Sequence, residues 1–245
     1  MDKFISYFDN RYHEVLQKGD MAACGPIITL SRQTGCDAIA TAKRLVNILN
    51  DKYNTNKWHW VDKQVLTDAA RRLKTDQGRV ENSMKGTGFS GMSEMIMAIS
   101  GEYLSDIRIK KAVRDVILSI CNEGHAILVG RGGVSITRGI RRALHIRLVA
   151  PFYWRVENII KKRQYGIEDA EEFVVDTDEK RHNIIINFLD KKPLNIDYLF
   201  DATINRSSYT VDQIADLIFH HYDIRMKRIK SEGDNPARDL NSSYG

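Results

Sequence analysis

The sequence predicts an α/β protein, a five-stranded parallel sheet covered by helices on both faces. Three observations predict it. Short runs dominated by β-branched, aliphatic and aromatic residues recur at 26–31, 58–61, 125–129, 144–149 and 200–204, several of them apolar at consecutive positions as strands buried on both sides require. Segments with helical spacing of apolar residues lie between them, long enough for the crossovers that parallel pairing needs. Each run ends in a polar or glycine-bearing turn: Ser31-Arg32-Gln33-Thr34-Gly35, Asp62-Lys63, Gly130-Arg131-Gly132, Ala150-Pro151 and Asn205-Arg206. A parallel sheet gathers such turns at one edge, where ligands of open α/β sheets bind.

The elements follow in order. Phe4, Phe8, Tyr12 and Val15 predict an N-terminal helix over 4–17. Pro26 to Ser31 is the first strand, and Asp37 to Asn50 the helix after it, with Ala38, Ala42, Leu45, Val46 and Leu49 along one face. Trp58-His59-Trp60-Val61 is the second strand, closed by Asp62 and followed by a helix over Lys63–Leu73. Residues 77–100 are rich in Gly, Ser and Met and read as a flexible connection with a short helix, a candidate flap. Tyr103–Asn122 is a long helix carrying Ile107, Ala112, Val116, Ile117 and Ile120. His125 to Val129 and Leu144 to Val149 are the third and fourth strands. Pro151 opens a helix at its first turn, where its missing N–H costs nothing. A strongly charged stretch covers 161–181, Phe200 to Ile204 is the fifth strand, and Thr210 or Asp212 begins the last helix. The polar residues 231–245 read as a disordered tail.

Composition narrows the function classes. Of 245 residues, 42% are hydrophobic and 28% charged, as in an ordinary globular protein. No apolar run approaches the roughly 20 residues a membrane-spanning helix needs, and the charged N-terminus lacks the apolar block of a signal peptide. Three scattered cysteines, Cys24, Cys36 and Cys121, match neither a disulfide framework nor a zinc pattern. These features predict a cytoplasmic protein with no membrane partner. The net charge of +5 is concentrated at 138–147 and 224–230. It suits an anionic small molecule; it also suits RNA, but no aromatic RNA-binding signature accompanies it, so a nucleic-acid partner is the weaker reading.

The stretch ITLSRQTGCDAIATAKRL, 28–45, is strand, turn and helix, the setting in which free helix N-terminal amides hold phosphate. The standard loop GxxxxGK[ST] does not fit: its lysine falls on Ala38 and its hydroxyl residue on Ile39. Gly35 can still open the turn, and Arg32 can restore the missing positive charge. Asp37 is a candidate N-cap whose carboxylate would compete with phosphate for the same amides. From these residues alone, a phosphate loop and a plain capped helix both stand.

Several blocks, in order, resemble the cytidylate kinase-like family: Ile28-Thr29-Leu30-Ser31-Arg32-Gln33 with Gly35; Val61-Asp62-Lys63; Val129-Gly130-Arg131-Gly132; Ala150-Pro151 with Trp154-Arg155; Thr177-Asp178 with Arg181; and Ile204-Asn205. The resemblance spans about 26–222. It implies the three-layer P-loop kinase fold of nucleoside monophosphate kinases, as one domain over 1–230 with an acceptor-binding insert at about 63–122 and a helical lid at about 161–192. It implies donor-phosphate contacts from Ser31, Arg32, Gln33, Thr34, Gly35, Cys36, Asp37, Ala38 and Ile39. Acceptor contacts would come from Asp62, Lys63, Arg114 and Arg131, and lid contacts from Arg163, Asp178 and Arg181. Arg131, Arg155 and Arg181 would stabilise the charge in transfer, and Asn205 would touch the donor base. The implied cofactors are ATP and Mg²⁺, the cation held mainly through the phosphates with help from Ser31 or Asp37.

Each residue has a plainer reading. Asp62 can cap the next helix. Arg131 can form a structural salt bridge, Arg114 can be a solvated helix arginine, and the lid can be a surface helix with pairs such as Asp178 with His182 and Asp176 with Lys180. Cys36 reads as packing, since Asp37 opposes thiolate formation. Where the family carries Gly-Ser-Gly-Gly, this chain has Gly35-Cys36-Asp37-Ala38. Gly132 stands where true cytidylate kinases have an acceptor-contacting Asp, so cytidine specificity does not follow. The sequence therefore predicts an ATP-dependent phosphotransferase acting on a nucleotide or similar small acceptor. A nucleotide-binding sensor of the same fold, without turnover, is the alternative. Neither the acceptor nor the oligomeric state can be read from the residues.

Overall fold

Strand β1 (Ile27–Arg32) is central because both its faces are apolar: Ile27 enters one layer of the core, and Ile28 and Leu30 enter the other. The computed structural model describes residues 24–62, 107–189 and 193–232. The expected helices over 4–17 and 63–73, the flap at 77–100, Lys63 and the tail beyond 232 lie outside them.

Around β1 stand β2 (His59–Val61), β3 (Ala126–Val129), β4 (Ala143–Val149) and β5 (Ala202–Asn205). The sheet has five strands in the order β2-β3-β1-β4-β5, all parallel. Thr29 pairs with Leu128 on one side and His145 on the other, so the turns after β1, β3 and β4 leave the sheet side by side. Strand boundaries differ from expectation by one or two residues. The largest shift is at β5, where Asp201 accepts the His145 amide through its carboxylate and donates its own amide to the His145 carbonyl, ahead of the strand.

Helices α1 (Ala38–Lys52) and α6 (Val211–Glu232) cover one face. Leu45, Leu49, Ile214 and Ile218 bury there against Ile28, Leu30, Ile146 and Leu148. Helix α2 (Ile107–Glu123) and the single-turn α3 (Gly133–Ile136) cover the other, where Val116, Ile117 and Ile120 meet Ile27, Leu128 and Ile136. This is the three-layer α/β arrangement expected, consistent with a P-loop kinase-like fold. Burying a leucine or isoleucine of this kind contributes about 1.5–3 kcal/mol. Helix α3 is too short to have a readable period.

Helices α4 (Phe152–Arg163) and α5 (Ile167–Asn187) follow β4, and α5 runs through most of the 161–192 stretch expected as a lid. They share a small apolar seam of Val156, Ile159, Ala170 and Val174. Gln164, in the left-handed conformation, ends α4, and Glu168 and Asp169 favour the start of α5 by facing the positive end of its dipole. Among the described residues, no helix is long and apolar enough to cross a membrane.

Candidate functional site

The turn after β1 is built by close approach. Gly35 has φ +90°, and a Cβ there would lie 2.8 Å from the Arg155 carbonyl oxygen and 3.0 Å from its Cα. Only glycine combines that conformation with that contact. Helix α4 then holds the turn through a polar stripe at i, i+3 and i+7. Arg155 donates to the Thr34 carbonyl at 3.4 Å, Asn158 donates to the Gly35 carbonyl at 3.3 Å, and Lys162 pairs with Asp37 at 2.9 Å.

That last contact corrects the reading of Asp37. It occupies the N-cap position of α1 in a left-handed conformation, but its carboxylate accepts no amide of the first turn. It faces Lys162 instead, so it does not compete for the amides. The carboxylate that does bind the loop is Asp178 of α5. One of its oxygens accepts the Thr34 backbone N–H at 2.6 Å and the Thr34 hydroxyl at 2.7 Å; the other accepts from Arg155 at 2.6 Å. Asp178 is thus turned into the site, not paired along a surface helix with His182. Arg155 is buried and also donates to the Ala150 carbonyl at 3.0 Å, so it positions the loop and the Asp178 carboxylate.

Arg181 lies one helical turn from Asp178. It donates to the Thr34 hydroxyl at 3.0 Å and stands 3.9 Å from the Asp178 carboxylate. With Ser31, Arg32, Gly130, Arg131, Gly132, Ile184 and Ile185 it lines a small open pocket. Three guanidiniums therefore meet at one small space. The Arg32 guanidinium rests directly over Gly130, where a Cβ would come within 1.9 Å of Nη1. Gly130, Arg131 and Gly132 all have positive φ, and holding Arg131 at +60° costs on the order of 1 kcal/mol.

Electrostatics agree with the crowding. Burial, then repulsion from Arg181 and Arg131, brings Arg32 down to about 9, with Asp62 opposing. Burial and Arg181 bring Arg131 down to about 10, again against Asp62. Burial also lowers Arg181, partly offset by Asp178. All three stay charged at neutral pH, and an anion in the pocket would remove the repulsion between them.

The other expected site residues divide. Asp62 is buried within the field of Arg32 and Arg131. Cys36 is buried, and burial raises its thiol to about 11, so it is neutral packing. Gln33 accepts the Ala150 amide at 3.1 Å, tying two turns together. Ala38 is buried and Ile39 half-buried against the α1 core layer. Arg114 is exposed on α2. Arg163 is not part of the pocket: its guanidinium lies 4.4 Å over the Phe173 ring and also faces Tyr165. Asn205 caps its own turn, accepting from the Ser207 amide at 3.0 Å and the Ser207 hydroxyl at 2.7 Å. Its side-chain oxygen is committed locally.

Sequence reasoning missed Asn158 and Lys162. The signal was present, because Arg155, Asn158 and Lys162 form one polar face on a helix that follows a ligand-edge turn. Among the described residues, no three His, Cys, Asp or Glu side chains gather as a metal site.

Comparisons with known proteins extend this geometry. The sequence profile of the cytidylate kinase-like family matches residues 27–208. A uronate isomerase from Corynebacterium glutamicum is 27% identical over 167 residues, 64% of this chain; the chain spans only 32% of that protein's length. The crystal structure of an uncharacterized protein from Eubacterium ventriosum superposes with a TM-score of 0.53 at 16% identity, covering 81% of this chain and 98% of that one, a likeness of fold alone.

Proposed function

This chain belongs to the cytidylate kinase-like family, and on that premise we propose that it is an ATP-dependent phosphotransferase acting on a nucleotide or a similar small acceptor. The observation that carries the reading is the meeting of Arg32, Arg131 and Arg181 at one pocket between the β1 turn and the β3 turn. Phosphoryl transfer asks for charge neutralisation and alignment more than for a covalent group. Arg32 stands in for the missing loop lysine. Arg131, held by two left-handed glycines, grips phosphate from the acceptor side, where Asp62 is placed to orient the attacking group. Arg181 reaches the pocket from the lid. Arg155 acts at one remove, by holding the Thr34 carbonyl.

Mg²⁺ fits this donor set only as a companion of the donor phosphates, neutralising their charge. Asp37 is engaged by Lys162, which leaves the buried Ser31 as the nearby side chain able to help. The two-sided arrangement, with cations on both the donor turn and the acceptor strand, favours an enzyme over a sensor, which needs only one.

The test is a panel of nucleoside monophosphates and small alcohols with ATP and Mg²⁺, read by product detection. ATP turnover on at least one acceptor, falling about 100-fold or more in Arg131→Ala and Arg181→Ala while both variants remain folded, is the expected result. ATP binding without turnover on any acceptor would replace this reading with the sensor. Absence of ATP binding would refute both.

A further inference from the structure

We infer that the Asp178 carboxylate is an internal stand-in for a donor phosphate, a latch that ATP must displace before the site can work. The inference rests on the phosphotransferase reading and adds a competition to it.

The argument starts from the partners of one carboxylate. Asp178 Oδ1 accepts from a loop amide, Thr34 N–H, and from a loop hydroxyl, Thr34 Oγ1. Asp178 Oδ2 accepts from Arg155, and Arg181 stands 3.9 Å from Oδ1. An amide, a hydroxyl and two guanidiniums are the donors a phosphate oxygen seeks at a loop before a helix N-terminus. Here they converge on a side chain 144 positions away in sequence, from a different helix. A local cap would come from the residue beside α1; Asp37 occupies that place and is turned away to Lys162.

Two consequences follow. The loop holds an anion-binding shape because Asp178 satisfies the donors of the buried Thr34 that would otherwise be left without a partner. And the same donors cannot serve Asp178 and a phosphate oxygen at once. Phosphate entry moves the carboxylate out, and like charge drives the two apart. Arg181 then loses a carboxylate and gains a phosphate, while Arg155 keeps the Ala150 and Thr34 carbonyls. The latch thus sets donor affinity and keeps the arginine pair paired while the site is empty.

Isothermal titration of wild type and Asp178→Ala with ATP and, separately, inorganic pyrophosphate tests this. The variant should bind both about tenfold or more tightly, since the ligand no longer displaces a charge-assisted pair. Asp178→Asn, which keeps the shape and one acceptor but not the charge, should fall between, and it carries the test if Asp178→Ala fails to fold. Pyrophosphate should also raise the melting temperature of the variants more than that of wild type. If wild type binds ATP and the folded variants bind it equally or more weakly, the latch is refuted and the phosphotransferase reading stands. If neither wild type nor variant binds ATP or pyrophosphate, both are refuted.

Discussion

Replacing Gly35 by alanine tests how the β1 turn is built. The residue has φ +90°, and the added Cβ would meet three atoms of Arg155 at 2.8–3.0 Å, two of them backbone. A left-handed non-glycine conformation costs about 1–2 kcal/mol. Forcing α4 outward by a few tenths of an ångström adds about 1–3 kcal/mol of overpacking. Gly35→Ala should therefore lose about 2–5 kcal/mol, a large share of a domain's usual stability. Equilibrium urea unfolding followed by tryptophan fluorescence measures it, with the slope unchanged if only the native state is affected. Gly166→Ala is the control: that glycine has φ −63°, and its Cβ would meet only Asp169 Oδ2, at 3.5 Å. It should stay within about 0.5 kcal/mol of wild type. A Gly35→Ala loss no greater than the control's would refute the close-approach account of the loop.

Two further outcomes are expected. Arg155→Met should cost about 2–4 kcal/mol, because it leaves the half-buried Asp178 without its closest ion partner and frees the Ala150 and Thr34 carbonyls; urea midpoints check this. His145 is buried between β1 and β5, bonded to Thr29 at 2.9 Å, and burial holds its folded pKa well below the ordinary 6.5, with Asp201 opposing and Arg225 adding to the lowering. Below pH 6.5 the unfolded chain takes up a proton at this imidazole before the folded one does, so its contribution to stability is complete above 6.5 and is lost as pH falls toward the depressed folded value. The stability lost by wild type between pH 7 and 5 should shrink in His145→Asn; an unchanged loss would place the pH dependence elsewhere.

The sheet was legible because burial on both faces leaves a direct trace: Ile27, Ile28 and Leu30 are apolar without alternation, as are Ala126 to Val129. The gathering of the turns at one edge was legible for the same reason, since parallel strands put Arg32, Asp62, Arg131 and Arg155 at one end. What was not legible is contact between distant segments. Nothing local says that Asp178 reaches Thr34, or that Arg32 lies over Gly130. Nor does anything local say that Arg163 lies over the Phe173 ring across the α4–α5 turn. The turn at Asn205 is a short-range motif, an asparagine followed two residues later by a serine that it caps.

The three-rung attachment of α4 to the β1 turn has a mechanical corollary. Because α4 and α5 share an apolar seam, the helical pair is geared to the β1 turn rather than hung from it like a door. Rotation of the pair must drag residues 34–37, and distortion of that loop must swing the exposed elbow at Gln164–Gly166. A dye fixed at that elbow would act as the needle of a gauge whose spring sits in the loop.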